Sequence, residues 1–210
     1  KNKPGGECTW SGCIPSKALI HEAKKVYTIR KEVKDFNYDS KKALDHVHAV
    51  RENIYSHETP EALTKSGIIY IQGEAKFKDA KTLIVGSKEI RGKKIIISTG
   101  SSPLVPPISG LSDVPFLTNE SIFELERLPE SLIVLGGGPI GIELAQAINR
   151  LGTKVHIIEM MPNLIFREEE EFSKIIEKQL SEEGVEIQLG AKATNVSYTN
   201  RQIGRASCRE

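Results

Sequence analysis

The chain has 210 residues, with 29 Lys and Arg against 28 Asp and Glu, so its formal net charge is +1. No block of basic residues points to a nucleic-acid partner, and no run approaches the roughly 18 apolar residues of a membrane span. The length allows one large domain or two smaller ones. Because the first residue is Lys1 rather than Met, we expect a fragment of a longer parent protein.

Two cysteines, Cys8 and Cys13, stand near the start of the chain and carry its strongest chemical signal. In a regular α-helix their Cα atoms would be about 8.6 Å apart. That exceeds the ~7 Å limit for a disulfide, so the intervening segment must turn irregularly, and Gly12 suits such a turn. Pro15 suits the start of a helix, predicted over residues 15–28.

The surroundings of the pair favour redox chemistry. A sulfur just before a helix N-terminus, with Lys17 nearby, is expected to be a thiolate at neutral pH. A structural disulfide is the alternative, but it would leave the flanking glycines, proline and lysine unexplained. No second cysteine or histidine pair stands at ligand spacing, so we expect no metal site. The pattern predicts a redox-cycling dithiol.

Residues 5–17, GGECTWSGCIPSK, resemble the active-site segment of the flavin-dependent pyridine-nucleotide disulfide oxidoreductases, which include dihydrolipoyl dehydrogenase, glutathione reductase and mercuric reductase. The resemblance implies FAD and NAD as cofactors. It assigns substrate exchange to Cys8 and flavin contact to Cys13, and it places Gly5, Gly6 and Lys17 beside the FAD. The chain departs from the usual pattern where Glu7 replaces a threonine and where Thr9-Trp10 replaces a more aliphatic start.

A helix is predicted over residues 41–56 from apolar residues at three- and four-residue spacings, and a short helix begins at Pro60 and ends by Gly67. Turn signals then separate four short apolar runs, which predict a small antiparallel meander. The predicted strands are residues 68–72, 75–78, 82–85 and 94–98.

Two further segments resemble parts of the family that contact FAD. Residues Thr99, Gly100 and Ser101, where an apolar run breaks at glycine, resemble the second FAD-contacting segment. Gly73 and Ala75 resemble a segment that meets the adenine end. A proline-rich connection follows, and we place a domain boundary near residues 114–118.

A dinucleotide-binding fingerprint begins at Gly136, with Gly138 and Gly141 completing G-x-G-x-x-G. It lies in the expected context: a strand at 131–135, a helix at 142–151 and a strand at 154–158. The first glycine permits a tight turn, the second lets the backbone approach a pyrophosphate, and the third allows close packing. The alternative, a glycine-rich turn that binds nothing, does not account for this context.

Glu159 ends the second strand, 18 positions past the last fingerprint glycine. A carboxylate here accepts hydrogen bonds from a ribose 2′-hydroxyl and repels a 2′-phosphate, so NAD is favoured over NADP. Pro139 and Ile140, inside the fingerprint, are expected to contact the nucleotide. Pro139 stands where some relatives carry a tyrosine that covers the flavin face.

The remaining elements are a helix at 168–183 and strands at 185–189 and 192–196. Val196, which ends the last strand, is assigned to the nucleotide site. By the family resemblance, Glu143 pairs with Lys17 across the domain boundary, beside the flavin; the alternative is an exposed helix glutamate. Cys8, Cys13, Lys17 and Glu143 form the predicted catalytic set.

The last eight residues, 203–210, back-translate to a sequence that resembles a commercial sequencing adapter read in frame. We therefore expect them to be an artefact, the alternative being an ordinary polar tail. Without them 27 basic and 27 acidic residues remain, and Cys208 is lost.

The sequence as a whole predicts an α/β, Rossmann-like FAD/NAD(P)-binding fold with two incomplete nucleotide-binding domains and a small antiparallel meander. Residues 1–115 are assigned to a partial FAD-binding domain and residues 116–202 to a partial NAD-binding domain. The resemblance implies a cytoplasmic, homodimeric parent enzyme that acts on a small-molecule or lipoyl disulfide, with no membrane or nucleic-acid partner. Dihydrolipoyl dehydrogenase-like and mercuric reductase-like activities both stay open, as does a non-catalytic NAD-binding remnant.

Overall fold

The computed structural model describes residues 3–33, 36–199 and 202–209. Four helices come first, followed by a three-stranded meander and then an alternation of strands and helices. The first helices are α1 (Gly6–Trp10), α2 (Cys13–Glu32), α3 (Ser40–Tyr55) and α4 (Pro60–Lys65).

Two of these helices, α3 and α4, have an N-cap side chain that accepts a hydrogen bond from the first turn. Asp39 accepts a hydrogen bond from the Lys41 N–H at 3.0 Å before α3, and Thr59 accepts one from the Ala62 N–H at 3.2 Å before α4. Such caps satisfy backbone donors that have no partner within the helix. The predicted helices at 41–56 and from Pro60 are confirmed. The redox helix begins earlier and ends later than the predicted 15–28.

The meander consists of β1 (Ala75–Asp79), β2 (Thr82–Val85) and β3 (Lys88–Arg91), paired antiparallel in that order. The predictions of strands at 68–72 and 94–98 are wrong, because the described residues offer neither run a paired strand. Both runs leave large apolar side chains in water: Ile69 is 87% exposed and Ile96 88%. An apolar run satisfies the strand pattern, but a strand also needs a backbone partner.

The second half of the chain builds a parallel sheet in the order β4 (Ser131–Leu135), β5 (Lys154–Ile158) and β6 (Glu186–Gln188). Helix α5 (Pro139–Arg150) connects β4 to β5, and α6 (Glu170–Glu182) connects β5 to β6. This βαβαβ alternation is the Rossmann-like α/β fold that the sequence predicts. The carboxyl ends of these strands are the edge at which such sheets bind ligands.

One main core joins elements on both sides of the predicted domain boundary. Leu19 of α2 and Val47 of α3 belong to the same buried cluster as Ile148 of α5 and Val155 of β5. Helices α2 and α5 contact each other directly. The redox helix is therefore packed against the helix that begins at the glycine-rich loop, while the division into two domains stays a prediction.

The chain continues with β7 (Lys192–Thr199), which pairs antiparallel with β8 (Gln202–Arg209). The predicted strand at 192–196 is thus confirmed, whereas the interpretation of residues 203–210 as an artefact stays a prediction. Within the described residues, no helix is long and apolar enough to cross a membrane.

Candidate redox and nucleotide site

A break between two helices separates the paired cysteines. Cys8 lies in α1, Cys13 begins α2, and Gly12 between them has φ −116° and ψ −115°. A Cβ on Gly12 would lie 3.0 Å from the carbonyl oxygen of Glu7, so the two helices approach closely at this turn. The irregular turn that the spacing predicts is present, and both cysteines are exposed free thiols.

The two thiols interact with each other. A side-chain hydrogen bond to Cys13 raises the pKa of the Cys8 thiol, and partial removal from water raises it further. The negative charges of Cys13 and Glu58 act in the same direction, and a backbone hydrogen bond with Cys13 opposes them. The prediction of a readily formed thiolate is therefore wrong for Cys8 in the dithiol form. Cys13, and not Cys8, begins the long helix whose dipole favours a negative charge.

Thr9, the neighbour of Cys8, is 2% exposed and donates a hydrogen bond from its hydroxyl to Glu58 Oε2 at 2.7 Å. Gly5 packs against both: a Cβ there would lie 2.6 Å from Glu58 Oε2 and 2.8 Å from Thr9 Oγ1. The backbone of Gly5 is also in the left-handed region, with φ +97°, so both the close contacts and the backbone conformation require glycine at this position. These contacts tie α1 to the loop that follows α3.

Trp10 is held against α3 by its ring. Its centroid lies 4.9 Å from that of Tyr55, and the Arg51 guanidinium lies 5.3 Å from the indole centroid. Arg51 is buried and forms an ion pair with Glu124, whose pKa it lowers by hydrogen bonding and charge against the opposing effect of burial. The unusual tryptophan of the redox segment thus serves as a packing anchor for α1.

Lys17 and Glu143 form the ion pair that the resemblance predicts. Lys17 Nζ lies 2.7 Å from Glu143 Oε2, and the two side chains are 61% and 45% exposed. Much of each side chain faces solvent, so the pair is not a buried one. The pair nevertheless joins the redox helix α2 to the first turns of α5.

The glycine-rich loop has the geometry of a dinucleotide site. Gly136 has φ +109°, and a Cβ on Gly141 would lie 2.4 Å from the carbonyl oxygen of Gly136. Gly138 precedes the first residue of α5, Pro139, and a Cβ on it would meet nothing within 4 Å. Ile140 is 59% exposed on the same turn. The N-terminus of α5 is therefore open to an approaching phosphate group.

Glu159 lies beside this loop with both carboxylate oxygens fixed. Oε2 accepts from the Gly137 N–H at 2.5 Å and Oε1 from the Met161 N–H at 2.7 Å, and the residue is 7% exposed. Each carboxylate oxygen accepts more than one hydrogen bond, so the group retains capacity for a ribose hydroxyl. An open helix N-terminus with a fixed carboxylate at the neighbouring strand end fits a dinucleotide.

Gly137 is a further residue of the site that the fingerprint does not specify, since it stands at a position open to any residue. A Cβ there would lie 2.4 Å from Leu164 Cδ2 and 3.2 Å from Glu159 Cγ. The signal in the sequence was the uninterrupted run of three glycines at 136–138. The middle glycine lets Glu159 and Leu164 pack directly against the loop.

The other residues predicted to contact FAD belong to three different segments of the chain. Thr99, Gly100 and Ser101 occupy an exposed loop, with Gly100 at φ +73°. Gly73 packs against Val85, since a Cβ on it would lie 2.5 Å from Val85 Cγ1, and Ala75 begins β1. Gly6, at φ +58°, begins α1. Their contacts with FAD stay predictions.

Val196 is buried with Leu111 and Val114 in a small cluster outside the main core. Its N–H donates to the Ser109 carbonyl at 2.8 Å. The structure thus places Val196 in a packing role between β7 and the segment that precedes β4. Its assignment to the nucleotide site stays a prediction.

The chain resembles characterised proteins over nearly its whole length. A mercuric reductase from Lysinibacillus sphaericus is 32% identical over 201 residues, which cover 93% of this chain and 37% of the relative. A dihydrolipoyl dehydrogenase from Acholeplasma laidlawii is 30% identical over 93% of this chain and 61% of the relative. The chain therefore spans less than two thirds of the length of each.

Solved structures agree with these sequence matches. The Cu(II) complex of the HOCl-induced flavoprotein disulfide reductase RclA from Escherichia coli superposes with a TM-score of 0.80 at 31% identity, covering 96% of this chain and 44% of that one. The family described as pyridine nucleotide-disulphide oxidoreductase matches residues 3–206. This chain, with its cysteine pair, its glycine-rich loop and the ion pair between them, belongs to the pyridine nucleotide-disulphide oxidoreductase family.

Proposed function

We propose that the parent protein is an FAD-dependent disulfide oxidoreductase that passes electrons between NAD(H) and the Cys8–Cys13 pair. The observation that carries the proposal is the Lys17–Glu143 contact at 2.7 Å. It links α2, which begins at Cys13, to α5, which begins at the nucleotide loop. A chain evolved only to bind NAD would not need to couple these two elements.

The residues of the chain divide the chemistry between them. FAD, when bound, would supply the two-electron exchange with the nicotinamide. Cys8 and Cys13 accept two electrons and two protons on passing from disulfide to dithiol. In substrate reduction, a Cys8 thiolate attacks the substrate disulfide and releases one thiol, and Cys13 then attacks the mixed disulfide to release the second.

The glycine-rich loop and Glu159 would bind and orient the NAD. Gly138 leaves space for the pyrophosphate at the N-terminus of α5, and Glu159 offers its fixed carboxylate to the ribose. A 2′-phosphate would be placed against that buried negative charge. NAD is therefore the proposed nucleotide, in preference to NADP.

The substrate separates the candidate activities. The relatives are named for dihydrolipoamide chemistry and for mercury, and one structural relative is a Cu(II) complex. We propose a dihydrolipoyl dehydrogenase-like activity, with a mercuric reductase-like activity as the alternative. The proposal includes a cytoplasmic homodimer; its nearly balanced charge supports the absence of a nucleic-acid partner.

The test uses the full-length parent loaded with FAD. NADH oxidation is followed with lipoamide, Hg(II) or Cu(II) as acceptor, alongside a Cys8→Ser variant, and the oligomeric state is read by size-exclusion chromatography. Turnover of lipoamide that is lost in the variant supports the first activity, and turnover of Hg(II) alone supports the alternative. A parent that binds NADH but turns over no acceptor is the non-catalytic remnant.

A further inference from the structure

Glu58 is an acidic side chain beside the redox pair. It lies in the loop between α3 and α4, where its N–H donates to the Tyr55 carbonyl at 2.8 Å. Its carboxylate accepts a hydrogen bond from the Thr9 hydroxyl at 2.7 Å, and Thr9 is only 2% exposed. Because a buried hydroxyl without a partner is costly, this bond fixes the position of α1 relative to the loop.

The contact leaves no room for adjustment at the start of α1. A side chain on Gly5 would collide with both the Glu58 carboxylate and the Thr9 hydroxyl. Trp10, two residues after Cys8, is packed on Tyr55 and Arg51 of α3. The two sides of α1 are thus fixed independently, and Cys8 lies between these anchors.

The charge of Glu58 acts on Cys8 without a neutralising partner. Within the part of the chain that the structure describes, no lysine, arginine or histidine forms an ion pair with Glu58. Arg51 is paired with Glu124 and Lys17 with Glu143, and Lys3 Nζ lies over the Trp10 ring, 4.5 Å from its centroid.

The thiol and carboxyl groups around Cys8 come from three places. Cys13 begins α2, Glu58 follows α3, and Glu7 precedes Cys8 in α1, where the amide of Asn119 lies 3.5 Å from its carboxylate. The Glu58 carboxylate contributes to the raised pKa of the Cys8 thiol, after the larger effects of Cys13 and burial.

We propose that Glu58 is a positioning residue of the redox pair, which anchors α1 through Thr9 and Gly5 and distinguishes the two sulfurs by its charge. In the dithiol form, the Glu58 carboxylate disfavours a negative charge on Cys8, so removing that carboxylate charge should make the Cys8 thiolate easier to form. The proposal deepens the proposed function and rests on it.

The charge is tested with the 210-residue chain carrying Glu58→Gln, which retains an acceptor for Thr9. The matched control is Glu52→Gln, which removes an exposed carboxylate from α3. The rate of alkylation by iodoacetamide is measured against pH, with mass spectrometry resolving each cysteine peptide, including that of Cys208. Below the titration midpoint, the Cys8 rate in Glu58→Gln should rise about twofold, because the thiolate is the reacting form.

The Cys13 profile should change less than that of Cys8, and Glu52→Gln should follow the unmodified chain. A Cys8 profile in Glu58→Gln that superposes on that of Glu52→Gln would overturn the electrostatic half of the proposal.

The anchor is tested by Thr9→Val against Thr9→Ser, which keeps the hydroxyl. Trp10 is the only tryptophan of the chain, so its emission reports the position of α1. Thr9→Val should shift the emission and slow oxidation of the dithiol by diamide about tenfold, because the sulfurs lose their alignment. Thr9→Ser should restore both, and Thr9→Val behaving as the unmodified chain would overturn the anchoring role.

Oxidation by diamide distinguishes a failure of the redox function from a failure of the role of Glu58. If the unmodified chain formed no Cys8–Cys13 disulfide with diamide, the proposed redox function would be wrong. If the disulfide formed normally in every variant at the same rate and pH, only the role of Glu58 would be wrong.

Discussion

Lys17 Nζ and Glu143 Oε2 lie 2.7 Å apart although their residues are 126 positions apart in the chain. The contact connects α2, whose first residue is Cys13, to α5, whose first turn follows the glycine-rich loop. Beneath it the two helices share a continuous apolar core. The ion pair thus lies at the outer rim of a packed interface. Apolar packing, and not this ion pair, contributes most of the free energy that holds the two helices together.

The exposure of the pair determines its energetic value. With side chains 61% and 45% exposed, the coupling energy in a cycle of Lys17→Met, Glu143→Leu and the double variant should be about 0.2–1 kcal/mol. The 3–5 kcal/mol typical of breaking a buried pair is not expected in this chain. Urea unfolding of the four proteins measures the coupling. Strictly additive effects would show that the contact contributes nothing to stability.

Alanine substitutions at two glycines of the fingerprint should affect different properties, NADH binding in one case and folding stability in the other. Gly138→Ala has space for its Cβ, so the variant should unfold like the unmodified chain but bind NADH more weakly, because the methyl group occupies the phosphate approach. Gly141→Ala places a Cβ 2.4 Å from a backbone oxygen. It should lose about 1–3 kcal/mol of stability by overpacking. Thermal unfolding and NADH fluorescence titration check both; equal unfolding of the two variants would contradict this division.

The sequence predicted the elements whose signal is local. Leu44 and Val47 lie three residues apart on one buried face of α3, and the glycine fingerprint located β4, α5 and β5. It failed where the outcome depended on a distant partner. The apolar residues around Ile69 and Ile96 matched a strand pattern, but no strand among the described residues pairs with them. The polar run of β3, by contrast, pairs with β2.

In the candidate site too, local patterns could be predicted from the sequence and contacts between distant residues could not. The fingerprint glycines and Glu159 could be identified because their spacing is set by one βαβ unit. Thr9 and Glu58 are 49 residues apart, and no local pattern connects a threonine in a redox segment to a glutamate in a later loop. The Lys17–Glu143 pair was predicted through the family resemblance alone, since helix periodicity only placed Glu143 near the start of α5.

Arg150 and Glu183 should make the stability of the chain depend on pH. The carboxylate of Glu183 is 1% exposed and accepts two hydrogen bonds from the Arg150 guanidinium, at 2.6 and 2.5 Å. Burial opposes ionisation, but the hydrogen bonds from Arg150, Gln179 and Gln146 outweigh it, so the pKa of Glu183 is lowered. Because the pKa of Glu183 is lower in the folded state, its ionised carboxylate stabilises the fold at pH values above its unfolded-state pKa, about 4.3 for Glu. This stabilisation is lost as the pH falls through the folded-state pKa.

The corresponding variants are Arg150→Met and Glu183→Gln. Arg150→Met should cost about 3–5 kcal/mol at pH 7, because it leaves a buried carboxylate without its partner. The stability difference between the unmodified chain and Glu183→Gln should shrink as the pH falls below about 4. Denaturant unfolding at pH 7 and at pH 3.5 measures both. A difference that stayed constant with pH would show that Glu183 does not titrate with folding.

Cys13 should give the flavin-dependent signal of the parent. Two-electron reduction of the FAD-loaded parent should produce a long-wavelength flavin–thiolate absorbance band, because Cys13 is the proposed flavin-facing sulfur and begins α2, where a negative charge is favoured. Cys13→Ser should abolish the band and Cys8→Ser should retain it. A band that survives in Cys13→Ser but vanishes in Cys8→Ser would reverse the two assignments.

Glu159 should set the nucleotide preference. Glu159→Gln keeps an oxygen acceptor but removes the buried charge that would face a 2′-phosphate, so the preference for NADH over NADPH should narrow about tenfold. NADH itself should also bind more weakly, because the ionised carboxylate no longer accepts from the Gly137 and Met161 N–H groups. The control is Glu171→Gln, which removes an exposed carboxylate at the start of α6. Fluorescence titration with both nucleotides measures the ratio, and an unmodified chain that binds NADPH more tightly than NADH would refute the assignment.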